Sequence, residues 1–235
     1  MYGQRHIPLE QNREEAEKPF WISFSDLMSA LMVLFLVVMG VALLAITKTV
    51  SEQERKGKAH KADIDLILQR FEDAASRHQG ITVDKDRYVI DFGSRAQFDF
   101  GKSQLYAEQE TVLREFVPEM LALASDSLGR RILKRFVIEG YTDTTGSYLR
   151  NLNLSLQRSQ RVLCALFAQQ GERVLSNDQK EQVRQLFFVG GYSFNSAKAT
   201  PEESRRVEMR LEFLGIDESR PTPVMGKKDF GTCAL

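Results

Sequence analysis

The hydrophobic pattern divides the chain into two regimes. Residues 21–46, WISFSDLMSALMVLFLVVMGVALLAI, form an apolar run broken by a single ionisable side chain, Asp26. About 20 apolar residues at 1.5 Å rise per residue cross a hydrocarbon core roughly 30 Å thick, so this run predicts one transmembrane helix. The next stretch, 47–62, is rich in Lys, Glu, Gln and Ser and reads either as a continuation of the helix or as a linker. Ile64, Ile67, Leu68 and Phe71 then recur at helical spacing, predicting a short amphipathic helix over 63–76. Its apolar face could pack on the following domain, pair with a second copy or lie on the membrane.

From Ile81 the period shortens. ITVDKDRYVIDF predicts a hairpin turning at Asp84-Lys85-Asp86. Residues 105–123 carry a helical apolar period, RFVIE at 135–139 a strand, 151–169 a helix, QLFFV at 185–189 a strand, and RVEMRLEFL at 206–214 a closing strand. Strands and helices alternating before a last antiparallel strand predict an α/β sandwich, with helices on one face of a mixed sheet. The expected organisation is a polar tail over 1–18, a transmembrane helix over 19–47, a linker with the amphipathic helix over 48–79, one globular domain over 80–215 and an irregular tail over 216–235.

Composition narrows the function classes. Thirty-two basic residues balance 32 acidic ones, leaving no polybasic signature for nucleic acid. Three scattered His and two Cys give no metal-ligand spacing, and no nucleophile–base pair can be assembled, so an enzyme is disfavoured and no cofactor is expected. Cys164 and Cys233 form an even pair that could close a disulfide or stay reduced. The apolar run is too long for a signal-peptide core and no small-x-small site follows it, so it should remain as an anchor. Arg5, Arg13 and Lys18 face four Glu before the helix, whereas Lys48, Arg55, Lys56, Lys58 and Lys61 follow it. That bias weakly favours placing the C-terminal side inside.

Asp26 is the first candidate site. A charge inside a bilayer helix costs about 2.5–3.5 kcal/mol on insertion scales, so it either stays protonated or faces a polar, protein-lined path. Ser29, Ala30, Val33, Val37 and Gly40 continue from Asp26 as a stripe of small residues suited to close helix packing, and Ser25 and Ser29 put hydroxyls near the carboxyl. The competing reading leaves Asp26 in the headgroup layer.

The second candidate site lies in GYTDTTGSYLRNLNLSLQRSQRV, from Gly140. Ser147 stands where a hydroxyl could cap the helix. On a helical projection Leu152, Leu156, Leu163 and Leu166 should face the sheet, while Asn151, Leu154, Ser155 and Arg158 fall on a neighbouring stripe outside that core. Asp143 and Arg158 would then share a rim suited to a zwitterionic ligand, the carboxylate taking an ammonium and the guanidinium a carboxylate. Alternatively they pair with each other for about 0–1 kcal/mol.

This segment resembles the signature of the OmpA-like peptidoglycan-binding family, and FDFGKSQL (98–105) and RRVEMRLEF (205–213) are similar to its flanking motifs. The resemblance spans about residues 80–215. It implies that Asp143 and Arg158 grip the diaminopimelate of the peptidoglycan stem peptide, with Thr142, Asn151 and Leu154 lining the groove. Tyr141 departs from the family, where His is common. WISFSDLMSALMVLFLV is in turn similar to the membrane helix of MotB-like stator subunits, whose relatives include a subunit of the Zorya anti-phage system. That resemblance implies an ion-carrying Asp26, expected to take a proton, with Ser25 and Ser29 lining its path. It also implies a homodimer, a MotA-like or ZorA-like multi-helix membrane partner, and a bacterial inner-membrane setting. The N-terminus would be cytoplasmic and the domain periplasmic, against the charge bias. A flagellar-type stator subunit and a static wall tether without ion transport are the alternatives.

Overall fold

The computed structural model describes residues 11–221 and 229–233, and the side chains among them from Ser23 onward together with Trp21. The first ten residues of the expected tail, and 222–228 and 234–235 of the C-terminal tail, lie outside the described residues.

The chain separates into residues Met1–Lys56 and Gly57–Leu235. In the first unit, helix α1 (Gln11–Ala75) carries the apolar run. It is long and apolar enough to cross a membrane. Leu31 through Leu44 expose nearly every large apolar side chain. An apolar surface of that extent suits lipid or partner helices rather than water.

The second unit begins within α1, whose last residues belong to its core. Ile67, Leu68, Phe71, Ala74 and Ala75 are buried, and Phe71 meets Phe136 edge to face at 5.9 Å. The periodicity over 63–76 thus marks a helix packed on the domain, and the preceding Lys/Glu-rich stretch is helical too.

The domain is a five-stranded sheet in the order β1-β2-β5-β3-β4. Strands β1 (Thr82–Asp84) and β2 (Val89–Asp91) make the hairpin. Strand β3 (Leu133–Gly140) runs parallel to β4 (Phe187–Gly191), and β5 (Val207–Phe213) inserts antiparallel between β2 and β3. Alternation along β3 and β5 sends Phe136, Ile138, Met209 and Leu211 to one face. Helices α2 (Ala107–Ser125) and α4 (Tyr148–Phe167) pack there. This is the expected α/β sandwich with a mixed sheet.

Two short helices escaped the hydrophobic pattern. Helix α3 (Ser127–Ile132) is capped by Asp126, which accepts from Gly129 N. Helix α5 (Asn177–Leu186) starts at a capping box between Ser176 and Gln179. A last turn, α6 (Pro201–Ser204), leads into β5.

The other sheet face is polar. Glu208 lies across from Asp91 on one side and Glu139 on the other. Such a row of like charges would repel. Arg206 and Arg87 hold Glu208 at 2.7 and 2.9 Å, Arg210 holds Glu139 at 2.6 Å, and Lys198 holds Asp91 at 2.6 Å. The row is neutralised side chain by side chain.

Candidate functional site

Two glycines set how α4 lies on the sheet. A Cβ on Gly140 would come within 1.9 Å of Ser155 O, and one on Gly191 within 2.7 Å of Leu156 N. With no Cβ on either strand end, the helix backbone rests almost on the strands, and only small residues fit at the contact.

The buried face of α4 is therefore Asn151, Ser155, Arg158, Ser159, Val162, Ala165 and Leu166. This corrects the projection drawn from the leucines. Leu156 is 43% exposed, whereas Arg158 is fully buried. The leucine periodicity misleads because this end of the helix abuts glycine backbone, where a polar, narrow face packs better than a bulky apolar one.

Arg158 is held entirely by backbone. Its Nε donates to Lys102 O at 2.9 Å, Nη1 to Tyr141 O at 2.7 Å and Nη2 to Asp99 O at 3.2 Å. The guanidinium sits 5.1 Å from the Phe98 ring centroid. Burial pushes its pKa down to about 10, with Asp143 opposing and Arg205 adding to the fall, so the group stays cationic at neutral pH. Its acceptors are neutral carbonyls. A buried cation with no bonded carboxylate among the described residues favours an incoming anion.

Asp143 does not pair with Arg158. Its Oδ1 accepts from Thr145 N at 2.9 Å, and its Oδ2 meets Arg205 Nη1 at 3.2 Å. Burial works against its charge, but the Thr145 amide and Arg205 outweigh it and hold the carboxyl below the usual carboxylate range. Arg205 itself is steadied by Phe98 O and Glu202.

Thr142, Asp143, Asn151, Leu154 and Arg158 converge on one pocket of about 300 Å³, together with Phe100, Gly101 and Gly146. Asn151 Nδ2 donates to Thr145 O at 2.9 Å and so fixes the loop that turns at Gly146, where φ is +101°. Ser147 occupies the helix N-cap without a side-chain bond. Thr142 Oγ1 is buried and has no hydrogen-bond partner among the described residues. Buried hydroxyls without a protein partner are uncommon in folded proteins, and this one belongs to a residue that lines the pocket.

Tyr141, the departure from the family pattern, donates its hydroxyl to Glu139 at 2.7 Å beneath the Arg206 guanidinium. It ties the pocket to the charged sheet face. The sequence pattern missed Arg205, whose place in the closing motif gave no hint that it reaches Asp143. It also missed Ser193, whose carbonyl accepts from Thr142 N and whose own amide donates to Ser155 Oγ.

The remaining expected residues stand elsewhere. Ser25, Asp26 and Ser29 lie on α1 and are exposed in the single chain, with Ser29 Oγ donating to Ser25 O at 2.8 Å. Cys164 and Cys233 are joined by a disulfide, their Cα atoms 5.8 Å apart.

Residues 97–208, which include the whole pocket, match the OmpA family. Over 223 residues the chain is 42% identical to Zorya protein ZorB of Escherichia coli O139:H28 (strain E24377A / ETEC), covering 94% of this chain and 91% of that protein. The chain belongs to the ZorB family. Among solved structures, the periplasmic domain of Helicobacter pylori MotB is similar at a TM-score of 0.40 and 14% identity, covering 55% of this chain and 78% of that one. The peptidoglycan-associated lipoprotein from Burkholderia pseudomallei is similar at a TM-score of 0.34 and 16% identity, covering 50% and 87%. In this ZorB-family chain the OmpA match runs from Gln97 to Glu208, and so takes in both Asp143 and the Arg205 that holds it.

Proposed function

We propose that this ZorB-family chain is the wall-anchored subunit of a proton-driven motor in the bacterial inner membrane, acting in anti-phage defence. The observation that carries the reading is Asp26, the lone carboxyl of the apolar run 21–46 in a membrane-length helix, on the same chain as an OmpA-family domain. Two copies would set two Asp26 side chains among the helices of a MotA-like, ZorA-like partner, with the N-terminus cytoplasmic and the domain periplasmic. Binding a proton removes a charge from that interface and releasing it restores the charge, so each transfer biases which helix packing is preferred. A membrane potential supplies about 2.3 kcal/mol per charge per 100 mV.

Work done by such a cycle needs a fixed end. Arg158, cationic and facing no bonded carboxylate, suits the carboxylate of diaminopimelate, while Asp143 suits its ammonium and Thr142 Oγ1 supplies an unused hydroxyl. Ser25 and Ser29 would line the proton path beside Asp26.

The test is Asp26→Asn in cells carrying the full system. The variant is expected to insert and to co-purify with the multi-helix partner as the parent does, while phage protection falls to the level of cells lacking the system. Full protection with Asn at this position would reduce the chain to a static wall tether. The relationship to ZorB favours defence over flagellar motility as the readout.

A further inference from the structure

Beside the candidate pocket lies a wider groove of about 880 Å³, between the 3₁₀ turn Gly93–Ala96, the 97–100 segment and the first turn of α2. The two are neighbours through shared residues. Phe100 lines both, and Arg205 lines the groove while holding Asp143 in the pocket at 3.2 Å.

The groove's surface is unusual for the domain. Phe100 is 64% exposed and Tyr106 59% exposed. The Tyr106 hydroxyl donates to Asp99 Oδ2 at 2.7 Å, which fixes the ring rather than leaving it to swing. Two charge pairs around the rings are matched locally, and Arg95 and Glu108 add one further charge of each sign to the lining. Asp99 also holds Lys102 at 3.1 Å, and Glu202 holds Arg205 at 2.7 Å. A groove so balanced suits a neutral polar ligand over an ion.

Backbone pairing with a peptide is closed off along the 97–99 stretch. Gln97 O accepts from Gln109, Phe98 N donates to Arg205 O, Phe98 O accepts from Arg205, and Asp99 O accepts from Lys102 N and Arg158. An extended peptide adding to a strand needs such groups free. What remains available is two aromatic faces among polar side chains. This is the chemistry that receives sugar rings, whose C–H faces lie on aromatic rings while their hydroxyls and amides find polar partners.

We propose that this groove is a saccharide subsite, taking the amino-sugar backbone of the wall polymer whose peptide end occupies the Asp143–Arg158 pocket. The proposal rests on the peptide reading of that pocket. Wall polymer would then be gripped at two chemically different points, one ionic and one stacked.

The experiment is calorimetric titration of the full-length protein in detergent with two probes, a diaminopimelate-containing tetrapeptide and the same tetrapeptide carrying its disaccharide. The parent should bind the disaccharide form roughly three- to tenfold more tightly, the range an added aromatic contact supplies. Tyr106→Ala should erase that preference while leaving tetrapeptide affinity unchanged. Tyr106→Phe, which keeps the ring, should retain it and so guards against a folding defect in the alanine variant. Equal affinities in the parent, or a Tyr106→Ala loss shared by both probes, would overturn the subsite while leaving the peptide reading standing. A parent that ignores the tetrapeptide yet binds the disaccharide form through Tyr106 would sink the peptide reading and keep the groove. Binding of neither probe would overturn both.

Discussion

At the scale of single residues, the pocket is unusual for what its groups lack. Most buried polar side chains here are satisfied. Thr142 Oγ1 is not, although Thr142 is 1% exposed. A hydroxyl buried without a partner costs stability, so replacing it by a methyl should be harmless or favourable to the free protein. Thr142→Val is therefore expected to leave thermal stability unchanged or raise it slightly, by up to about 1 kcal/mol. If the hydroxyl serves a ligand, the same change should weaken binding to isolated peptidoglycan roughly three- to tenfold, the worth of one hydrogen bond. Co-sedimentation with purified sacculi, paired with a melting curve, separates the two effects. A drop in stability with unchanged sedimentation would mean the hydroxyl is structural.

At the scale of elements, the placement of α4 governs the site, and it depends on Gly140 and Gly191 more than on the helix's own leucines. A Cβ at Gly140 would collide with Ser155 O at 1.9 Å, against backbone that cannot swing aside. Gly140→Ala should therefore push the helix off the sheet, costing about 1–3 kcal/mol as overpacking does. It should also move Arg158 away from Tyr141 O. Urea unfolding followed by tryptophan-independent circular dichroism would register the stability loss; an unchanged midpoint would mean the contact relaxes freely. This dependence also explains what could be read from the sequence. The hairpin, β3, β5 and α2 follow from periods of two and 3.6, because each buries one face on a common core; β4 starts two residues later than QLFFV predicts, because Gln185 and Leu186 close α5. The face of α4 does not, because burial there was decided by the glycines of two strands distant in sequence from most of the helix. Arg205 was hidden for a similar reason, since its reach to Asp143 depends on the turn at α6 and on Phe98 O. Asp143, Asn151, Leu154 and Arg158 stood out in the residue pattern and Thr142 through the resemblance, while Arg158's burial came only with the packing.

At the scale of the whole molecule, the Cys164–Cys233 disulfide links α4, which carries Arg158, to the C-terminal tail. Phe230 stacks near Phe167 at 5.1 Å, so the tail is held by packing as well as by the bond. The bond spans a sequence separation of 69. Closing a loop of that size stabilises a fold by about 2–4 kcal/mol through the unfolded chain. Its redox state in cells would report the compartment, because such bonds persist in the periplasm and are reduced in the cytosol. The charge bias around the membrane helix argues for the opposite orientation to the one proposed above, so the redox state of these two cysteines in cells is the measurement that decides between the two arguments. In cells quenched with acid and treated with a maleimide, both cysteines are expected to resist alkylation until a reductant is added. Cys164→Ser with Cys233→Ser should lower the unfolding midpoint of the purified protein while leaving Asp143 and Arg158 in place, because neither touches the bond. Free thiols in the membrane-inserted protein would put the domain on the cytosolic side, where no wall polymer exists to be held. The anchoring role would then fail however well the pocket fits its ligand.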